Sequence, residues 1–210
     1  MNIELIKIGF TIPLFFYATY TDYKDRRVSN KVWLPLIGLA LVVFFFEFSI
    51  SYLIKLCLSI GVMFPLAYLL MYFDFGGADA KFLMVVAILF PEYPAVFNPF
   101  YVEGWIFSFT VLLNALILAL VYPLTIFLVN LKKKNFTNPL KMIIALPKKP
   151  GCVNEDDKVI GDKIFLGKQV EDVKEKEKVW VSPKIPFIIP LVAGYFVSLV
   201  YGDIWLSLIL

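Results

Sequence analysis

Apolar residues in this chain come in long runs separated by short polar junctions. Six runs stand out, at about Glu4–Tyr20, Val32–Phe46, Ser51–Phe73, Phe82–Phe97, Gly104–Leu131 and Ile185–Leu210. A helix needs ~20 apolar residues to cross the ~30 Å hydrocarbon core of a bilayer, so the pattern predicts six membrane-spanning helices. The first run lacks a basic leader and a small-residue cleavage site, and reads as a retained span. Val32–Phe46 is short and is expected either to extend through Glu47–Ser51 or to tilt little. Pro13, Pro35, Pro65 and Pro123 fall inside runs, where neighbouring helices can satisfy the carbonyls they free.

The basic residues supply an orientation. The junctions Thr21–Lys31, Asp74–Lys81 and Lys132–Lys184 hold 18 of the 20 Lys and Arg, leaving Lys7 and Lys55 for the opposite face. By the positive-inside rule these junctions are cytoplasmic and both termini external. The long junction Lys132–Pro183 is the one segment suited to water. Runs at Lys158–Ile160, Lys163–Leu166 and Lys178–Val181 suggest small strands there, and Gly151, Gly161 and Gly167 suggest turns. Its acidic trio Glu155–Asp157 reads as a solvated turn, and its Lys132–Lys134 cluster as a cytoplasmic flank beside membrane lipid. The expected fold is therefore an all-α polytopic protein of the plasma membrane. Helices 1–5 fill 1–131, a cytoplasmic insertion with short strands fills 132–183, and helix 6 fills 184–210.

Composition agrees with this and narrows the chemistry. Apolar residues make up 60% of the chain and charged residues 18%, against about 45–50% apolar in soluble domains. There is no histidine, which excludes Ser-His and Cys-His nucleophiles and histidine-ligated metals or haem. The two cysteines, Cys57 and Cys152, have no metal-site spacing. Carboxylates remain. Those at the external ends (Glu4, Glu47, Glu92, Glu103 and Asp203) read as solvated interfacial residues. Those at the cytoplasmic ends, Asp22 and Asp25 after the first run and Asp74 and Asp79 between the third and fourth, lie at one depth on two segments. Ionisable groups near membrane depth are costly and mark function.

Asp79 closes Gly76-Gly77-Ala78-Asp79-Ala80-Lys81, and glycines there permit close backbone approaches. Asp22 stands eight residues before the Asn30 of Val28-Ser29-Asn30. Together these segments resemble the aspartic membrane peptidases of the type IV prepilin peptidase group, and within it the archaeal preflagellin peptidases. That family carries one catalytic aspartate eight residues before the Asn of an Ile-Pro-Asn-like element and another at the end of Gly-x-Gly-Asp. The resemblance thus implies catalytic roles for Asp22 and Asp79, with Gly76, Gly77, Lys81 and Asn30 as supporting motif residues. Ser29 stands where the family usually has Pro, and Ala78 where it has the second motif glycine. Asp25 is the rival of Asp22.

The resemblance also implies a reaction. A preflagellin or prepilin-like precursor, with a short basic leader and an apolar helix, would be cut by water. Two neighbouring carboxylates share a proton; the ionised one takes a proton from water and the protonated one donates to the carbonyl oxygen. No metal, cofactor or nucleic acid is called for. Lys81, two residues from Asp79, does not share its helical face and reads as an anchor. The dipole at the start of the fourth helix weights Asp79 towards the ionised form. A proton- or ion-coupled transporter using the same aspartates is the alternative, although transporter sites usually lie near the midplane.

Overall fold

The computed structural model describes residues 3–72, 76–94, 96–97, 100–101, 104–136, 139–149, 152, 158–160, 179–183 and 186–209. Asp74, Glu103, the trio Glu155–Asp157, the run Lys163–Leu166 and Gly151, Gly161 and Gly167 lie outside them. The described helices are α1 (Ile3–Asp25), α2 (Trp33–Glu47), α3 (Ile50–Tyr72), α4 (Gly77–Leu89), α5 (Phe107–Ala119), α6 (Val121–Lys132), α7 (Pro139–Ile144), α8 (Ile188–Val200) and α9 (Ile204–Ile209). Three strands, β1 (Leu146–Lys148), β2 (Lys158–Val159) and β3 (Val179–Ser182), accompany them. The chain divides into two compact units, 1–118 with 186–210, and 119–185.

Among the described residues four segments are long and apolar enough to cross a membrane: Ile3–Asp25, Asn30–Glu47, Ile50–Tyr72 and Phe107–Lys132. The fourth and sixth apolar runs are built differently from the continuous spans expected of them. α4 has 13 residues, about 20 Å at 1.5 Å per residue. It ends at Leu89, and Pro91 and Pro94, which lack an N–H, follow in non-helical chain. The last run is split between α8 and α9 at Gly202, whose φ of 106° favours glycine. A Cβ at Gly202 would lie 2.0 Å from the carbonyl oxygen of Phe100, which pairs with it in a parallel bridge. In the long fifth run the α-helical pattern is interrupted at Leu120, and Pro123 has no N–H to give the Ala119 carbonyl.

In the first unit α4 is the central helix. Its buried side chains, from Asp79 and Ala80 through Phe82, Leu83, Val85, Val86 and Ala87 to Leu89, run almost all the way round, as expected of a helix enclosed by others. α4 packs chiefly on α3 and α2, while α1 packs chiefly on α8. The Ser59 hydroxyl of α3 donates to the Ala87 carbonyl, 2.9 Å. An aromatic cluster joins the helices, with ring centroids of Phe15 and Phe82 4.5 Å apart and Phe15 and Tyr195 5.0 Å apart, edge-on. Thr11 and Tyr195 share a buried hydroxyl–hydroxyl bond of 2.8 Å.

Several acids expected to be solvated are instead structural. Asp203 is fully buried. It caps α9, accepting from the Leu206 N–H at 3.0 Å and from the Thr110 hydroxyl at 3.1 Å, the use for which Asp is favoured at a helix start. Glu4 and Glu47 flank the buried Lys7, whose amine reaches Glu47 at 3.5 Å and sits 5.4 Å from the centre of the Phe90 ring. A buried ammonium is costly without such partners. Glu92 pairs with Lys55 at 2.8 Å on the surface.

In the second unit Asn130 of α6 donates to the carbonyls of Met142 and Ala145, 2.9 and 2.8 Å, which fixes α7 to the end of α6. The antiparallel sheet has the order β1-β3-β2, with Leu146 opposite Val181 and Val159 also opposite Val181. Val159, Val179 and Val181 form its small core. Two expected strands are found; β1, which carries Pro147, was not anticipated.

Candidate active site

Asp79 occupies the third position of α4, ahead of the apolar run that starts at Phe82. Its carboxylate turns back on the helix start and accepts the Gly76 N–H at 3.0 Å, satisfying one of the donors a helix N-terminus leaves open. This explains the first motif glycine. Gly76 has an ordinary φ of −62°, so conformation does not demand glycine; space does. A Cβ on Gly76 would lie 2.9 Å from Asp79 Oδ2, whereas the nearest atom to a Cβ on Gly77 is Met71 Cε at 3.9 Å. Ala78 is already inside α4 and lies partly buried against the core, so the missing second glycine leaves no strained position.

Asp22 belongs to the last turns of α1 and is partly buried. The helix ends at Asp25, and Arg26 turns left-handed (φ 54°) with its N–H on the Asp22 carbonyl at 3.1 Å. Beyond it Ser29 has φ −64°, the value a proline ring would impose. Its hydroxyl also accepts from the Lys31 N–H at 3.3 Å, opening a 3-10 turn over Asn30–Val32. Serine in the proline position therefore keeps the backbone path and adds a cap.

The two acids are electrostatically coupled. Asp79 is 5% exposed, and its pKa is pushed up from the ordinary 3.8 to about 7. Burial is the largest cause, the charge of Asp22 adds to it, and the Gly76 N–H opposes it. Desolvation therefore outweighs the helix-start effect that the sequence suggested would favour ionised Asp79. Asp25 is exposed at the end of α1, and the carboxylate whose charge acts on Asp79 is that of Asp22.

Among the described residues, side-chain contacts of Phe82 and Lys81 bring the two motif segments together. Phe82, one turn beyond Asp79, meets Phe15 of α1 and, edge-on at 6.4 Å, the buried Trp33 of α2. At the surface the Lys81 amine donates to the Asn30 side-chain oxygen at 2.7 Å. Sequence reasoning had Lys81 as a lone anchor. It could not foresee this partner 51 residues away, nor the part of Trp33 and Phe82, which read as ordinary apolar positions. A buried carboxyl that keeps its proton up to about pH 7 and feels the charge of a second carboxylate has the character of a general acid.

The profile of the type IV leader peptidase family matches residues 9–124, and that of the archaeal peptidase A24 C-terminus type II matches residues 130–204. The preflagellin peptidase of Methanococcus voltae is 29% identical, covering 92% of this chain and 94% of its own. The preflagellin peptidase of Methanocaldococcus jannaschii is 25% identical over 89% of both chains. An uncharacterized protein of the same organism is 31% identical over 88% of both.

Proposed function

The chain belongs to the type IV leader peptidase family, and from that footing we propose that it is an aspartic endopeptidase that removes the basic leader from preflagellin-like precursors. The observation that carries the mechanism is the coupling of Asp22 to a buried Asp79 whose pKa is raised to about 7. In this reading Asp79 holds the shared proton at rest and Asp22, the more exposed acid, is ionised. Asp22 takes a proton from water as the oxygen attacks the scissile carbonyl. Asp79 donates its proton towards the carbonyl oxygen, which stabilises the tetrahedral intermediate. Collapse of the intermediate breaks the C–N bond: the proton gathered on Asp22 passes to the leaving amine, and the re-forming carbonyl returns its proton to Asp79.

Asp22 lies in the last turns of α1 and Asp79 in the first turn of α4, so both acids belong to helix ends and water can reach them. We assign this end to the cytoplasmic side on the basic junctions, with both termini external and six crossings in all, the fourth and sixth made by the shorter helices. A substrate would lay its apolar helix along the bundle and present its unwound leader junction to the acids. The helix-end position of the acids does not favour the transporter reading.

The test is incubation of the purified protein in detergent with a preflagellin-like precursor, followed by mass spectrometry. One cut at the end of the basic leader is expected. An intact precursor, with solute flux across vesicles that depends on Asp22 and Asp79, would replace the peptidase reading with transport.

A further inference from the structure

The two acids ride on helices that do not pack chiefly on each other: α1 lies mainly against α8, and α4 against α3 and α2. Their relative position must therefore be held by bridges between the segments. Two of these, Phe15–Phe82 and Trp33–Phe82, are apolar ring contacts below the acids. They hold the helices together in the core, a turn or more away from the acids. Another bridge is polar and directional. It lies at the level of the acids, two residues after Asp79 on one side and eight after Asp22 on the other.

We propose that the 2.7 Å hydrogen bond from Lys81 to Asn30 is a latch that sets the working distance of the Asp22–Asp79 pair. Lys81 and Asn30 are exposed while Asp79 is buried, and residues two apart on a helix do not share a face. Lys81 therefore does not touch the reacting atoms; it is a positioning residue, and Asn30 is its anchor. The anchor is itself stiffened, because Asn30 opens the 3-10 turn capped by Ser29 and that turn runs directly into the buried Val32 and Trp33. Pulling Asn30 towards α4 draws the whole return from α1 onto the start of α4. Removing the bond lets the return lift while the ring contacts keep the helices folded together.

The inference rests on the peptidase reading above, and its test separates the two. Steady-state cleavage is measured for wild type, Lys81→Met, Asn30→Ala, the double variant, Lys81→Arg and Lys31→Met, with amide hydrogen exchange of the segment 28–33 followed in parallel. Misplacement of a catalytic group by about 1 Å costs on the order of a hundredfold. Lys81→Met and Asn30→Ala are thus expected to lose roughly tenfold to a hundredfold in kcat with KM within about twofold. The double variant should lose no more than either single one. Lys81→Arg, which keeps a donor, should recover most of kcat, and Lys31→Met, which removes an exposed charge outside the bond, should match wild type. Exchange at 28–33 should quicken in the two single variants. Additive losses, a loss confined to KM, or unchanged kcat and exchange in Lys81→Met would overturn the latch. Should wild type leave the precursor uncut, the peptidase reading falls separately, and unchanged exchange would still refute the latch.

Discussion

Replacing Asp79 by Asn should stabilise the protein in alkaline solution while removing its proposed chemistry. A buried carboxyl whose folded-state pKa is raised binds its proton more tightly in the folded chain than in the unfolded one. Its contribution is therefore most favourable below the unfolded value of 3.8 and is lost as pH rises through about 7. Each tenfold change in proton affinity is worth ~1.4 kcal/mol, so the rise from 3.8 to about 7 corresponds to a cost of ~4 kcal/mol once Asp79 is ionised. Asn cannot ionise and still offers an oxygen to the Gly76 N–H. Thermal unfolding in detergent at pH 5 and pH 8 checks this. At pH 5, about a third of the way from the unfolded 3.8 to about 7, the Asn variant's advantage should be only about a third of its full value. At pH 8 the Asn variant should unfold several degrees higher, since ~1 kcal/mol moves Tm by roughly 2–4 °C in a chain of this size. A variant no more stable than wild type at pH 8, or a difference that is the same at both pH values, would refute the reasoning.

Other expectations follow from the same geometry. Gly76→Ala sets a Cβ 2.9 Å from the Asp79 carboxylate and should cost at least tenfold in kcat, whereas Gly77→Ala, with 3.9 Å of clearance, should retain activity and gain up to ~1 kcal/mol in helix propensity; equal effects at the two positions in a cleavage assay would contradict the steric account. Cleavage needs Asp79 protonated, so kcat/KM should fall about tenfold for each pH unit above about 7, and a profile flat to pH 9 would show that Asp79 does not supply the proton.

Much of the bundle was legible in the runs of apolar residues, because a run of some twenty side chains records burial in lipid directly. The first three runs become α1, α2 and α3 with little change in their limits. The fourth and last runs form no single helix of spanning length among the described residues. Their interruptions come from Pro91 and Pro94 in one and from the close approach of Phe100 to Gly202 in the other, and the second of these is a tertiary contact with no local signature. Asp203 and Lys7 show the same limit. A lone charge at the end of an apolar run reads as solvated until its partners, Thr110 for one and Glu47 for the other, arrive from distant sequence. At the candidate site Asp22, Asp79, Gly76 and Asn30 are named through the resemblance of two short motifs to a family pattern, since either motif alone reads as an ordinary charged or glycine-containing junction. What the sequence could not supply was the raised pKa of Asp79, since its burial depends on the packing of α4 among other helices, nor the pairing of Lys81 with Asn30.

The central claim is that Asp22 and Asp79 together carry peptide hydrolysis, and cleavage of a preflagellin-like precursor by three single variants tests it most directly. Asp22→Asn and Asp79→Asn should each lose activity by at least about a thousandfold, because a shared-proton pair cannot function with one member, while Asp25→Asn should remain within a few-fold of wild type. Wild-type cleavage by either of the first two variants, or loss in Asp25→Asn alone, would contradict the account.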